Sequence, residues 1–432
     1  MINRHFLLLA LLFIFLPFLC LGEEYEFDLS EIEKKPYSVG GYAEFRPVLS
    51  VLDRDGALYK LRFFDRDEGK TIEQYNGKLL LDGSYEKGMA RAFVRANLEL
   101  NYSYLGWDDE TAFYEGYVSL KPSSSLSIDL GKRTLKWGKG YAWNPVAFID
   151  RPKDPDDPEL ALEGFVVASA DYIKSFSGPL KTLSLTPVLV PVYHHVNDDF
   201  GELDHLNFGG KIYALLYDTD IDFLFLVGDS KANRFGFDFS RNITTNFEIH
   251  GEFAFIENQR KKLIDPGGKI SESEFDAKSY LLGIRYLTRW DMTFILEYYH
   301  NGTGYSGSEM EGYFSFIHRG YDAFLLTGDD SLLKKAAAVT EGNYGRPNPM
   351  EDYLYLRVSQ KEPFDILYFT PALTTIMNLS DQSFSLSPEL LYTRFTNWEL
   401  RLKGTVLAGH GLTDYGEKPN DFRVELRVRY YF

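Results

Sequence analysis

Residues Asp421–Phe432 read DFRVELRVRYYF. Even positions carry Phe422, Val424, Leu426, Val428, Tyr430 and Phe432; odd positions carry Asp421, Arg423, Glu425, Arg427 and Arg429. Successive side chains of a strand point to opposite faces, so this segment presents one oily face and one charged face. What the oily face touches decides the fold.

The same alternation recurs along the chain. In NWELRLKGTVLA, Trp398, Leu400, Leu402, Val406 and Ala408 oppose Glu399, Arg401, Lys403 and Thr405. TNFEIHGEFAF sets Phe247, Ile249, Phe253 and Phe255 against Glu248, His250 and Glu252. Sixteen such segments run from 88–104 to 421–432, and VGGYAEFRPVL (39–49) and ALYKLRFF (57–64) supply two more. Short links such as PSSSL, YDTDI and RNITT take turns with long ones at 134–160, 258–276, 302–351 and 409–420. Strand lengths near 9–11 residues, short turns at one end and long loops at the other predict an all-β fold, a transmembrane antiparallel up-and-down barrel of about eighteen strands. Sixteen strands is the competing count, because 52–87 reads ambiguously. In such a barrel the oily face of Asp421–Phe432 meets lipid and the charged face meets water, while closure leaves no unpaired strand edge in the hydrocarbon.

Composition agrees. The 432 residues include 30 Tyr and 34 Phe, aromatics make up 16%, yet a quarter of the chain is charged and mean hydropathy is −0.25. Apolar and polar residues are therefore interleaved, not segregated. The basic start MINRH and the apolar run Phe6–Leu19 predict a secretory signal peptide over 1–22, cut near Gly22. Residues 23–35 then form a periplasmic N-terminal segment and 36–432 the barrel. The single cysteine, Cys20, leaves with the signal, so disulfides and cysteine chemistry are not expected. A net charge of −17 disfavours nucleic acid as a partner. No repeat of 20–50 residues and no linker indicates a chain of soluble domains.

These features resemble Gram-negative outer-membrane proteins as a class. The resemblance implies outer-membrane localisation, contact with outer-membrane lipid, and assembly by the barrel-assembly machinery reading the terminal YYF.

Assigning faces by alternation makes the lumen legible. The first strands contribute Glu44, Arg46, Lys60, Arg62, Arg91, Arg95 and Glu99; the last contribute Glu399, Arg401, Lys403, Arg423, Glu425, Arg427 and Arg429. Closure places these sets side by side as one wall of ten bases and four acids. Middle strands lean the other way, with Glu163, Asp171, Asp222, Asp238, Glu248, Glu252 and Glu297. A basic arc concentrates anions in a pore. The same charges also serve as ion pairs that stiffen the wall, and both uses remain open on sequence grounds.

Two loops stand out. Asn301–Glu351 is long and contains DDSLLKKAAAV, which has a helix signature; it either enters the lumen or caps the mouth. Leu130–Leu160 gathers Gly138, Gly140, Trp137, Trp143 and Pro145, Pro152, Pro155 and Pro158, so the backbone leaves the sheet. Arg133, Trp137, Tyr141 and Trp143 are candidate mouth contacts for sugars or anions, as aromatic faces and cations suit both; an ordered loop with rim aromatics is the plainer reading. The GKR…WGKG run (Gly131–Gly140) resembles a pattern of the alginate-export-like outer-membrane channels. That resemblance implies an eighteen-strand barrel with a basic pore for an acidic polysaccharide.

The expected function is passive passage of small anionic solutes or acidic polymers, without cofactor, metal or catalytic residues. The alternative is a non-conducting scaffold for an electron-transfer or surface-polysaccharide complex. HHVNDD (His194–Asp199) has side chains suited to hydrolysis or to a divalent cation, but no defensible partner completes a catalytic set, and no P-loop, HExxH or nucleophile elbow occurs.

Overall fold

The computed structural model describes residues 35–66 and 68–432. The expected signal peptide and most of the 23–35 segment lie outside the described residues. From Tyr37 onward the chain forms one compact unit.

Eighteen strands follow one another around a closed ring. They are β1 (Tyr37–Leu52), β2 (Thr71–Lys87), β3 (Ala90–Ser103), β4 (Gly106–Ser123), β5 (Leu126–Arg133) and β6 (Phe165–Ser175). Then come β7 (Leu180–Val192), β8 (His205–Leu216), β9 (Thr219–Val227), β10 (Arg234–Thr244), β11 (Phe247–Ile264) and β12 (Ile270–Leu287). The last are β13 (Met292–His300), β14 (Asp352–Gln360), β15 (Phe369–Asn378), β16 (Phe384–Tyr392), β17 (Trp398–Ala408) and β18 (Asn420–Tyr431). Each pairs antiparallel with its neighbours, and β18 closes on β1 with Tyr42 opposite Tyr431 and Val48 opposite Glu425. Phe432 completes the seam: its N–H donates to Gly41 O, and Gly41 N–H donates back to Phe432 O, both at 3.1 Å.

The alternation reads out as expected. On the outer face Leu402 and Leu426 are 44% and 41% exposed, while their inward neighbours Lys403 and Arg427 are 7% and 4% exposed. A barrel whose outside is more oily than its inside is the inverse of a water-soluble protein and suits a bilayer. Exposed Tyr85, Tyr172, Tyr286, Trp290, Tyr430 and Phe432 ring the end with short turns, where aromatic girdles sit. No described helix is long and apolar enough to cross a membrane.

The second strand differs from expectation. ALYKLRFF is not a strand: Ala57–Phe63 is the helix α1, inside the loop after β1, and the second strand is Thr71–Lys87. ALYKLRFF satisfies both periods, but as a helix it buries Tyr59 and Phe63 in one apolar cluster and Ala57 in another. Lys60 and Arg62 therefore sit on a loop helix and do not belong to the strand wall.

The 301–351 loop holds α2 (Gly307–Thr327) and α3 (Ser331–Val339). Ser306 and Glu309 form a reciprocal capping box at the start of α2, and Gly328, with φ of 75°, ends it. The apolar sides of both helices pack with Tyr344, Tyr353, Tyr355, Ile376 and Tyr415 in one buried cluster that also includes Ala57 of α1. This places the loop over the upper ends of β11–β17, as a cover at the mouth.

A lipid-facing charge should be far more costly than a lumen-facing change. Leu402→Arg should reduce folding stability in vesicles by about 2–4 kcal/mol, and Arg91→Leu by under about 0.5 kcal/mol, measured by denaturant titration of tryptophan fluorescence.

Candidate channel constriction

The loop from Thr134 to Gly164, hereafter the strap, leaves the tops of β5 and β6 and crosses the lumen. It is seated on one wall by apolar packing. Trp137, Val146, Phe148 and Ile149 are buried against Phe165, Val167, Val188, Val190, Leu224, Leu226 and Ala254 on the inner faces of β6–β11.

Wall carboxylates then bind the strap backbone. Glu252 Oε1 accepts the N–H groups of Lys139 and Gly140, both at 2.6 Å, and Glu252 Oε2 accepts Val146 N–H at 3.3 Å. Glu297 accepts from Tyr141 N–H and, at 2.9 Å, from Ala142 N–H; His250 Nε2 lies 2.8 Å from the same carboxylate. Gly138 has φ of +95°, and a Cβ there would lie 2.5 Å from the Asn144 amide and 2.8 Å from Glu252. Only glycine allows so close an approach. Lys139 Nζ meets Asp222 at 2.8 Å and Asp238 at 3.8 Å. Burial alone would lower the Lys139 ammonium; these carboxylates outweigh it and raise it above its ordinary value.

The far end of the strap is acidic and meets the basic wall. Arg427 donates to Asp157 at 2.5 Å, and Arg401 lies 3.7 Å from the same carboxylate. Lys403 donates to the Asp156 carbonyl at 2.6 Å, and Arg423 lies 3.7 Å from the Asp156 carboxylate. Burial would raise the Asp157 carboxyl, but Arg427, Arg401 and Lys403 together hold it below its usual range.

The rest of the expected wall is also paired. Arg429 forms two bonds to Glu44, at 2.6 and 2.9 Å. Arg46 lies 3.6 Å from Glu425. Arg95 grips Asp82 with two bonds of 2.7 Å and reaches Glu115 at 3.2 Å. Arg91 is exposed against the Phe93 ring and has no carboxylate partner among the described residues. Lys60 Nζ lies 3.0 Å from His318 Nδ1, and Arg62 donates to the Tyr104 hydroxyl at 2.6 Å. Arg401 also lies 3.7 Å from Glu389 of β16; thus the imbalance of ten bases and four acids is largely offset by Asp82 on the true second strand, by Glu115 and Glu389 on strands outside the set counted, and by the strap acids.

The mouth-contact set is corrected as well. Trp137 is 3% exposed and Trp143 7% exposed; Trp143 stacks on Tyr299 at 5.2 Å. Both are packing anchors of the strap and offer no face to a sugar. Tyr141 packs near Tyr355 and reaches Glu159 at 3.4 Å, and Arg133 pairs with Asp129.

Sequence reading missed a second group of cations. A cavity of about 320 Å3 on the loop side of the strap is lined by Arg151, Lys153, Lys231, Arg234 and Arg346. These come from three segments distant in sequence, and no periodic signal connects them. Among the described residues no group of three His, Cys, Asp or Glu side chains is placed to hold a metal.

No protein-family model and no curated protein matches the chain in sequence, so the likeness of Gly131–Gly140 to alginate-export-like channels rests on that run alone. Solved structures do match. Acinetobacter baumannii OccAB1 aligns over 91% of this chain and 96% of its own, at 10% identity and a TM-score of 0.54. This chain shares that barrel fold. Pseudomonas aeruginosa OccK11 (OpdR) aligns over 91% and 95%, at 12% identity and 0.51. Pseudomonas aeruginosa OccK2 (OpdF), solved in complex with glucuronate, aligns over 92% and 98%, at 10% identity and 0.51.

Apolar burial of four strap side chains, at about 1.5–3 kcal/mol each, outweighs the acidic end, where two charge-assisted bonds contribute about 1.5–3 kcal/mol each. The acidic end therefore releases first. Asp157 titrates below its ordinary 3.8, so its contribution is complete at neutral pH and is lost as pH falls through that lowered value. Single-channel conductance should stay level from about pH 7 to 4 and rise below that range, and Asp157→Asn should show the raised conductance at pH 7.

Proposed function

We propose that this chain is an exported outer-membrane channel of porin type, passing small anionic solutes through a lumen narrowed by the strap. The observation that carries this reading is the strap itself: a loop drawn into a charge-lined barrel and held from two opposite walls. A membrane anchor has no need of a hydrated, charged interior whose width is set by a tethered loop. The oily outer face, the aromatic ring and the seam closed by Phe432 support residence in the outer membrane of a Gram-negative bacterium, surrounded by lipid and folded by the barrel-assembly machinery. Residues 1–22 act in this reading as the signal peptide, removed near Gly22, and 23–35 as a short periplasmic lead-in.

Selectivity for anions is supported by cations that lack carboxylate partners among the described residues, Arg91 in the wall and Lys231 and Arg234 near the entrance. The glucuronate bound to one structural neighbour is an anion of the same kind. Small solutes are favoured over acidic polysaccharide, because Trp137 and Trp143 are buried and the strap touches three sectors of the wall.

One observation favours a second reading. The α1, α2 and α3 helices and the 409–419 loop cover part of the mouth, as a closed scaffold would require. Planar-bilayer recordings under a KCl gradient separate the two. Ohmic current with a reversal potential on the chloride side, shifted toward zero by Arg91→Ser with Arg423→Ser, is expected for the channel. Absence of current at every protein density would support the scaffold.

A further inference from the structure

Buried cations are costly unless an anion accompanies them. The cavity of about 320 Å3 above the strap holds Lys153, Lys231, Arg234 and Arg346, and none has a carboxylate partner among the described residues. Among the described residues the Arg234 side chain makes no hydrogen bond, and its buried Nε has no partner. Arg346 donates only to uncharged groups, at 3.3 Å to the Thr303 hydroxyl and also to the Thr303 and Pro349 carbonyls, and its Nε is buried and unpartnered too. Lys153 Nζ donates to the Gly140 carbonyl at 2.7 Å and the Tyr141 carbonyl at 3.2 Å. The Lys231 ammonium rests 3.7 Å above the Phe200 ring.

The acids nearby are already engaged. Asp150 accepts the N–H groups of Leu135 at 2.7 Å and Trp137 at 2.9 Å. Arg151, the fifth cation, is matched by Glu163 at 3.0 Å and Asp199 at 2.6 Å. Lys153 also feels the Glu252, Glu297 and Asp150 carboxylates and Lys231 that of Asp199, all at longer range; four positive side chains therefore converge with no carboxylate in ion-pair contact among the described residues, in a space too small for a polymer and large enough for a compact ion. The neutral side chains that also line it, Asn144, Gln259 and Asn301, already donate to Gly140 and Glu252, to Arg260 and to Met350, so the cations are the groups left to meet an anion. An adjoining cavity of about 400 Å3 shares Lys231, Arg234 and Gln259 and is lined as well by Arg260 and by the carboxylates of Glu202, Asp229 and Glu257, so the positive charge is concentrated in the inner of the two cavities.

We propose that this cavity is a binding site for a compact oxyanion carrying at least two negative charges, of the phosphate or pyrophosphate type, held by Arg234 and Arg346 forks with Lys153 and Lys231 as point charges. Arginine forks match such oxygens in pairs. The site rests on the channel reading for its purpose, as the place where a solute pauses before the strap, but its binding does not depend on conduction. Burial, and next the Arg234 charge, push the Lys231 ammonium down to about 7. The charged groups facing it are Arg151, Arg234 and Asp199. A bound dianion would restore its proton, so binding takes up protons near neutrality.

The test is calorimetric titration of the full chain in detergent micelles with inorganic pyrophosphate at pH 7, and with sulfate, whose charge is constant, at pH 6 and pH 8. Saturable one-site pyrophosphate binding is expected, about tenfold or more weaker in Arg234→Gln. Sulfate should bind more tightly at pH 6 than at pH 8, and Lys231→Met should abolish that difference. Heat-modifiable gel migration confirms that each variant is folded, and Arg91→Ser, remote from the cavity, should bind as the parent does. No binding by the folded parent, or equal binding by folded Arg234→Gln and Lys231→Met, overturns the site even if the protein conducts. Binding without conductance in bilayers keeps the site and removes the channel.

Discussion

Glu252 and Glu297 on one side of the barrel and Arg427 on the other hold the same loop. The lumen is polarised, acidic on β9–β13 and basic on β17, β18 and β1, and the strap carries the complementary charge at each end: Lys139 with backbone N–H groups free of sheet pairing at one, Asp156 and Asp157 at the other. In a water-filled barrel the loop would otherwise gain conformational entropy by leaving. Two sets of opposite charge, with an apolar seat between, fix it across the lumen, and the width available to a solute follows from where it is fixed.

The mouth is organised around another buried carboxylate. Glu417, from the 409–419 loop, accepts Ala57 N–H of α1 at 2.5 Å and Leu412 N–H at 2.6 Å, and lies 3.0 Å from His318 Nε2 of α2. Burial would raise this carboxyl; His318 and the backbone donors outweigh it and hold it low. Three loops rooted in separate parts of the ring thus share one negative charge. Behind it Tyr344 stacks between Tyr305 and Tyr313, at 4.0 and 4.2 Å, which makes the cover a packed unit and not a loose flap.

Much of this architecture was legible in the sequence, because strand faces follow a period of two and lipid imposes that period on almost every segment. Asp421–Phe432 and Trp398–Ala408 take up the faces that their alternation assigns. ALYKLRFF misled because eight residues fit helix and strand periods equally, and only tertiary burial of Tyr59 and Phe63 separates them; the true second strand, with Gly77 and Gly83 on its lipid side, shows a weaker oily face. The basic wall was visible, but its partners were not. Asp156 and Asp157 lie in a loop whose path across the lumen no local pattern encodes. Trp137 and Trp143 looked like solute contacts for the same reason: composition indicates an aromatic loop, and only the fold shows that it turns inward. Lys153, Lys231, Arg234 and Arg346 belong to three segments far apart in sequence that only the tertiary fold brings to one cavity.

The strap's attachment to the basic wall is tested most directly by reversing the charges of its strongest pair. Single-channel conductance of Asp157→Arg, of Arg427→Asp, and of the double exchange should be compared at neutral pH in the same bilayer. Raised, noisy conductance in each single variant and return to the parent level in the double variant is the predicted result. Parent-like conductance in all three would contradict the account, since the loop would then hold its position without the pair.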